Sequence, residues 1–251
     1  MALKLFNSKA FPAEGFIPSP TPELIWPVIE KLNPQPLTSW EGMDITDLQE
    51  MRKPMMDGCM YEFKTDKLEK INLGFLVFMK RMVGTFVTLF PSDNYDFPVF
   101  GAELIENPGN LHFLMDMHPI RDLVIDEWYR EKYIDPVEPL WKEYADIHND
   151  VNPNNWWRAL LSTCPVSGRH KPDADRSNIN RVAEYFAKYL DYYVTNVVAK
   201  AEPQKDAAGL EFANRKKKAM RMIYRTRDPG AGPLVRVMGV EGARKVVACL
   251  F

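Results

Sequence analysis

Cysteine and histidine are scarce in this chain. Cys59, Cys164 and Cys249 are the only cysteines in 251 residues; an odd and scattered set makes neither a disulfide framework nor a CxxC metal or redox site. The four histidines, His112, His118, His148 and His170, show no HExxH or HxH spacing, so no metal site is expected. Long apolar runs are missing too. Residues 74–79 form one of the longest, far short of the roughly 18 residues a membrane span needs. The N-terminal MALKLFNSKAF lacks a signal-peptide core, so the expectation is a cytoplasmic protein with no membrane partner. GxGxxG after a strand, GxxxxGKS/T and GxSxG are absent, which removes the usual nucleotide-binding and nucleophile-elbow chemistries.

What is present is ordinary for a globular protein: 46% hydrophobic and 26% charged residues, enough apolar material for a sizeable core. The formal net charge is −2, but it is unevenly spread. Residues 201–251 hold eleven Lys and Arg against five Asp and Glu. A basic face on an otherwise acidic chain suits an anionic partner, whether nucleic acid, lipid surface, carboxylate ligand or acidic protein; a solvated helix face with no partner fits as well. The low overall charge and the absence of a recognised motif argue against nucleic acid.

Seven prolines in the first 40 residues leave room there for one short helix, near 23–32. From residue 60 the pattern changes to short apolar or alternating runs at 60–65, 71–79, 83–90, 98–105 and 111–117, with turn signals PSDNYD and ENPGN between some of them. Hairpin-length connections make this an antiparallel sheet. Residues 126–147 read as helix interrupted by Pro136 and Pro139, and 156–166 as a further strand. The last third is helical: 178–200 carries a wide apolar stripe at three- and four-residue steps, followed by helices over 207–224 and 234–250. Strands followed by helices, without alternation, predict an α+β fold with helices covering one central antiparallel sheet. No repeat or linker divides the chain, so residues 1–251 are read as a single domain, with the Pro-rich 1–40 packing on it.

Two carboxylates stand out. In PVFGAELI, period-two alternation puts Val99, Gly101, Glu103 and Ile105 on one face and Phe100, Ala102 and Leu104 on the other. An acid among apolar neighbours, beside a glycine that can admit a ligand, is expected to have a raised pKa and to serve as a proton donor; an edge-strand glutamate facing water is the alternative. Asp228, in RTRDPGAG, is either a second acid or a turn former before Pro-Gly.

The segments LFPSDNYDFPVFGAELIENPG, LHFLMDMHPI and RTRDPGAGPLVRVMGVEGARKVVACLF resemble the ferredoxin-dependent bilin reductases, a family that includes the phycocyanobilin and phycoerythrobilin enzymes, phytochromobilin synthase and, more distantly, red chlorophyll catabolite reductase. The likeness runs in order from about residue 60 to the end. It implies a three-layer α/β/α sandwich holding an open-chain tetrapyrrole between the sheet and the C-terminal helices. It also implies no resident metal or flavin, reduced [2Fe-2S] ferredoxin as external electron donor, and carboxyls that protonate bilin radicals. On that resemblance Glu103 takes the place of the family's central-sheet aspartate and Asp228 that of its C-terminal aspartate, as the catalytic pair.

The departures narrow the choice. Phycocyanobilin-forming members have a histidine where this chain has Phe86 and a glutamate where it has Gly74, so that product is disfavoured. A glutamate at position 103 is similar to red chlorophyll catabolite reductase, whereas KYIDPVEPLW and the RDPG turn resemble the phytochromobilin and phycoerythrobilin enzymes. The resemblance therefore implies reduction of biliverdin IXα to a phycobilin or dihydrobiliverdin, with a red chlorophyll catabolite reductase-like activity or a non-catalytic bilin carrier as alternatives. Arg169 in STCPVSGR resembles the family arginine that clamps a propionate. Gly101 and Phe86 are expected to line the substrate site. Arg225 and Arg227 are expected to hold the other propionate, to pair with Asp228, or to be exposed helix-end cations. Lys216, Lys217, Lys218 and Arg221 are the candidates for docking acidic ferredoxin.

Overall fold

The structure is a computed structural model that describes residues 6–149 and 155–251. The first five residues, part of the N-terminal segment read above, lie outside the described residues. The Pro-rich stretch holds more than the one expected helix. α1 (Thr21–Glu30) is there, with a proline in its first turn, where no backbone N–H is needed. Four short strands follow: β1 (Gln35–Leu37), β2 (Ser39–Trp40), β3 (Met43–Asp44) and β4 (Met51–Lys53). Each is two or three residues long, too short to show a period of two.

The five expected strands become β5 (Met56–Lys64), β6 (Leu68–Phe78), β7 (Met82–Pro91), β8 (Val99–Asn107) and β9 (Asn110–His118). They form an antiparallel meander in which each strand pairs with the next. The β8–β9 hairpin turns on Pro108-Gly109, with Asn107 Oδ1 accepting the Gly109 N–H at 3.0 Å. The segment 126–147 is helical as expected, in pieces divided by its prolines: α2 (Glu127–Tyr133) and α3 (Glu138–Glu143), with 3-10 turns after each. The strand expected at 156–166 is not formed. Residues Asn155–Arg158 make a single helical turn, α4, and the strand β10 (Val166–His170) begins only after Pro165, which has no N–H to give a ladder. β10 closes the far edge, giving the order β1-β5-β6-β7-β8-β9-β10 with β4 beside β1 on β5.

The last third matches its helical reading with local breaks. α5 (Ser177–Tyr192) continues into a π-helical turn (Tyr193–Val198), α6 spans Ala207–Arg227 and α7 spans Ala231–Leu250. Asp206 caps α6 by accepting the Ala208 N–H. α6 stops at Asp228, whose extended ψ of 121° is what a residue before proline adopts. α7 is broken at Gly239, where φ is +75°.

Strand register sorts the residues of the sheet onto two unlike faces. Cys59, Tyr61, Leu73, Phe75, Val87, Phe100, Leu104, Phe113 and Met115 lie on one, under α1 and α5, and form the large core with Phe186, Tyr189 and Tyr193. Phe6 and Phe11 of the N-terminal segment join that core. The other face carries the buried polar groups Glu62, Lys70, Asn72, Thr88, Asp116, His118 and Ser167, and α6 and α7 cover it through smaller apolar clusters. The helices on both faces of an antiparallel sheet make the α+β arrangement that the sequence pattern predicts, in the three layers that the family resemblance implies.

Candidate active site

A cleft of about 340 Å³ opens between the polar face of the sheet and the C-terminal helices. A narrow inner pocket of about 40 Å³ continues it toward His118 and Tyr224. Phe86, Glu103, Trp157, Asp228 and Leu250 line both. Register places the first two side by side, because Phe86 on β7 pairs with Glu103 on β8 and with Gly74 on β6. The absent side chain at Gly74 thus adjoins Phe86, which fills the sheet surface there.

Glu103 does not sit enclosed among apolar side chains. It is 27% exposed, and its Oε1 lies 3.3 Å from Nε2 of His112, two residues along β9 from its cross-strand partner. Asp228 is half-buried as well. Burial pushes its carboxyl up to about 6, with the Glu103 charge adding to the rise and the hydrogen bond from the Gly230 N–H opposing it. The turn-former reading of Asp228 is met, since one carboxylate oxygen holds the Asp-Pro-Gly turn; the side chain also lines the cleft, where a second acid is expected.

The expected substrate residues separate into two groups. Phe86 and Gly101 line the site, and exposed Arg169 on β10 stands in the cleft wall beside His112. Gly101 serves the protein before any ligand: a Cβ there would lie 2.6 Å from His118 Nε2, so its missing side chain admits an imidazole of the chain itself. Arg225 is turned away from the cleft. Its guanidinium grips Glu41 through two bonds of 3.0 and 2.8 Å, a bidentate pairing that satisfies it without a propionate. Arg227 is exposed at the end of α6 and lines neither cavity. The helix turn carries both arginines off the face that Asp228 shares with Tyr224.

The basic run also divides. Lys217 is buried, 1% exposed, and bonded to Pro91 O and Asp93. Arg221 is bonded to Glu69 and lies 4.2 Å over the Phe90 ring. Lys216 donates to Arg121 O. Three of the four docking candidates therefore belong to the protein's own packing, and Lys218 alone among them is exposed.

Sequence reasoning missed two residues of the inner pocket, His118 and Tyr224, and the pair Asp116 and Ser162 behind them. His118 is fully enclosed, with Nδ1 3.2 Å from both Asp116 Oδ2 and Leu160 O, and Nε2 3.0 Å from the Tyr224 hydroxyl. Ser162 donates to Asp116 through its N–H and its hydroxyl. In the sequence the histidines read only as candidate metal ligands. A signal was nevertheless available: folding ENPG as a two-residue hairpin sets Gly101 opposite Asp116 and Val99 opposite His118, on the face of Glu103. Tyr224, from α6, carries no such signal.

The family model for ferredoxin-dependent bilin reductases matches residues 55–251. The chain belongs to that family. Among its relatives, the phycoerythrobilin:ferredoxin oxidoreductase of Nostoc punctiforme is 27% identical over 196 residues, 74% of this chain and 72% of that one. The 15,16-dihydrobiliverdin:ferredoxin oxidoreductase of the same organism is 27% identical over 164 residues, 62% of each chain, so less than two thirds of that relative is matched. Phytochromobilin synthase from tomato, solved in complex with biliverdin, shares the fold with a TM-score of 0.77 at 17% identity, over 90% of this chain and 80% of that one. As a bilin reductase by family, the chain is an oxidoreductase, and the cleft between sheet and C-terminal helices is its candidate active site. No helix among the described residues is long and apolar enough to cross a membrane.

Proposed function

We propose that this bilin reductase takes electrons one at a time from reduced [2Fe-2S] ferredoxin and reduces biliverdin IXα to a phycobilin or dihydrobiliverdin, with Glu103 and Asp228 supplying protons. The observation that carries the reading is the placing of two acids from opposite layers, one on β8 and one at the end of α6, in the wall of a single largely apolar cleft. Saturating one double bond consumes two electrons and two protons. A conjugated tetrapyrrole accepts an electron more readily once protonated, because the added positive charge stabilises the radical that forms. A carboxyl pushed up to about 6, as at Asp228, is poised to give up its proton near neutral pH. Arg169 at the cleft wall supplies a planar cation for a propionate, and apolar side chains such as Phe86, Trp157 and Leu250 flank the conjugated system.

The test is an anaerobic absorption time course with biliverdin IXα, reduced ferredoxin and a regenerating reductant, followed by chromatography of the product. Loss of the biliverdin band with growth of a blue-shifted product is expected. In Glu103→Gln, biliverdin binding persists while turnover falls at least about 100-fold, the usual weight of a general acid. Tight binding with no turnover in the unaltered protein would overturn the reductase reading in favour of a carrier.

A further inference from the structure

We propose that Tyr224 is a third proton donor to the bilin, switched between accepting and donating by proton uptake on His118, with Asp116 as the residue that holds His118 in place. The inference rests on the reductase reading above and adds to it a residue and a source for one of the protons.

The arrangement around His118 determines where its protons sit. Nδ1 faces two acceptors, Asp116 Oδ2 and Leu160 O, each at 3.2 Å. Neither can donate when Asp116 is ionised, so Nδ1 carries a hydrogen in every protonation state. Changes of proton therefore occur at Nε2, whose partner is the Tyr224 hydroxyl at 3.0 Å. When the imidazole is neutral, Nε2 is an acceptor and the phenol points its hydrogen at it, leaving oxygen lone pairs toward the pocket. When the imidazole is protonated, Nε2–H donates to the phenol oxygen and the phenolic hydrogen is freed toward the pocket. One proton on His118 thus reverses the polarity that Tyr224 presents to a ligand.

Several features hold this device in register. Asp116 is 0% and His118 2% exposed, and burying a carboxylate so completely is costly unless it is bonded; Ser162 supplies two of its bonds. The imidazole can reach its place only because position 101 is glycine. The Tyr224 ring lies flat against Phe251, with centroids 4.5 Å apart, and meets the edge of Trp157 at 5.1 Å. Tyr224 and Asp228, four residues apart on one face of α6, both line the inner pocket with Glu103 opposite. Those two carboxyls and Asp116 are the charged groups nearest the phenol. Burial also raises the phenol well above its ordinary range, so it works as a neutral donor and not as a standing anion.

The step balances as follows. One reduced ferredoxin gives one electron to the bilin. The Tyr224 O–H bond then breaks, its proton joins the reduced bilin, and the Nε2 proton of His118 passes to the phenolate oxygen. Neutral imidazole is left, with Nδ1–H still on Asp116 and Leu160. The second electron comes from another ferredoxin and the second proton from a carboxyl of the cleft; one proton taken up from bulk solvent restores the imidazolium between turnovers.

Single-turnover reduction of biliverdin IXα by reduced ferredoxin tests the relay in Tyr224→Phe, His118→Asn and the double variant. Phenylalanine keeps the ring and removes only the hydroxyl; asparagine keeps an amide near the Nδ1 position but has nothing to offer Tyr224. Each single variant should bind biliverdin within about threefold of the unaltered protein and reduce it about 100-fold more slowly, with one-electron-reduced bilin accumulating. The double variant should be no slower than either single, as for residues that act as one unit. Rates within threefold of the parent, or slowing that multiplies in the double variant, would overturn the relay. Loss of biliverdin binding in Tyr224→Phe would also overturn it, by making the hydroxyl a binding group. Inertness of the unaltered protein toward biliverdin would instead overturn the reductase reading on which the relay rests.

Discussion

At the scale of single residues, the two acids of the cleft are not equivalent. Both are half-buried, but Asp228 is raised to about 6, while Glu103 lies beside His112. A donor must hold its proton, so a rate that depends on Asp228 is highest below pH 6 and falls as pH rises through it, approaching tenfold per unit. Asp228→Asn should flatten that limb of the kcat profile, measured with saturating ferredoxin. The same shift affects stability with the same sign. A carboxyl raised in the folded state favours folding at low pH, and that contribution is lost as pH climbs from about 4 through about 6, by no more than about 3 kcal/mol. Gly101 offers a second residue-scale expectation. Since an added methyl would meet the His118 ring at 2.6 Å, Gly101→Ala should cost roughly 1–3 kcal/mol in denaturant unfolding, the usual range for overpacking, and should disturb turnover beyond that loss. Glu103 and Asp228 were legible from sequence because a short motif carries each. His118 was legible only through hairpin register, and Tyr224 not at all, since nothing in local sequence says which helix covers which strand.

Among the elements, α7 is held by its C-terminal end. Lys70, fully buried on β6, donates to the carbonyls of Ala248 and Cys249, and Thr88 on β7 donates to Leu250 O. These are carbonyls that a helix end leaves without partners, and an ammonium there also meets the negative end of the helix dipole. Burial lowers the Lys70 pKa and raises that of Glu62, and each charge opposes the other's shift. Lys70→Met should therefore leave Glu62 with its Asn72 hydrogen bond but no compensating cation, and the end of α7 loose, at a cost of roughly 3–5 kcal/mol. In a thermal melt that corresponds to a fall of roughly 6–20 °C for a chain of this size. Long strands and amphipathic helices were read nearly to their ends because their periods repeat several times. The two- and three-residue strands β1–β4 and the start of β10 were not, because they exist through pairing with β5 and β9 and with each other.

For the whole molecule, the C-terminal charge excess divides into two parts. Part of it is structural, in Lys217 and Arg221 locked to Glu69 and Asp93. What remains exposed on α6 is a strip with Arg215 and Lys218 between the apolar Phe212 and Met222. Reversing both charges, as Arg215→Glu with Lys218→Glu, should raise the KM for ferredoxin about tenfold at low ionic strength, less at high salt, and leave the melting temperature within a few degrees. An unchanged KM would remove this strip as the docking surface. Sequence could count these cations but could not tell a solvated one from a buried one, because both follow the same helical period. The sheet itself has a further consequence. In β8 and β9 the residues that line the cleft, such as Gly101, Glu103 and His118, alternate with core residues such as Phe100, Leu104 and Met117. Substitution at the cleft-facing positions of these two strands can therefore change the lining of the cleft while the neighbouring positions go on specifying the fold.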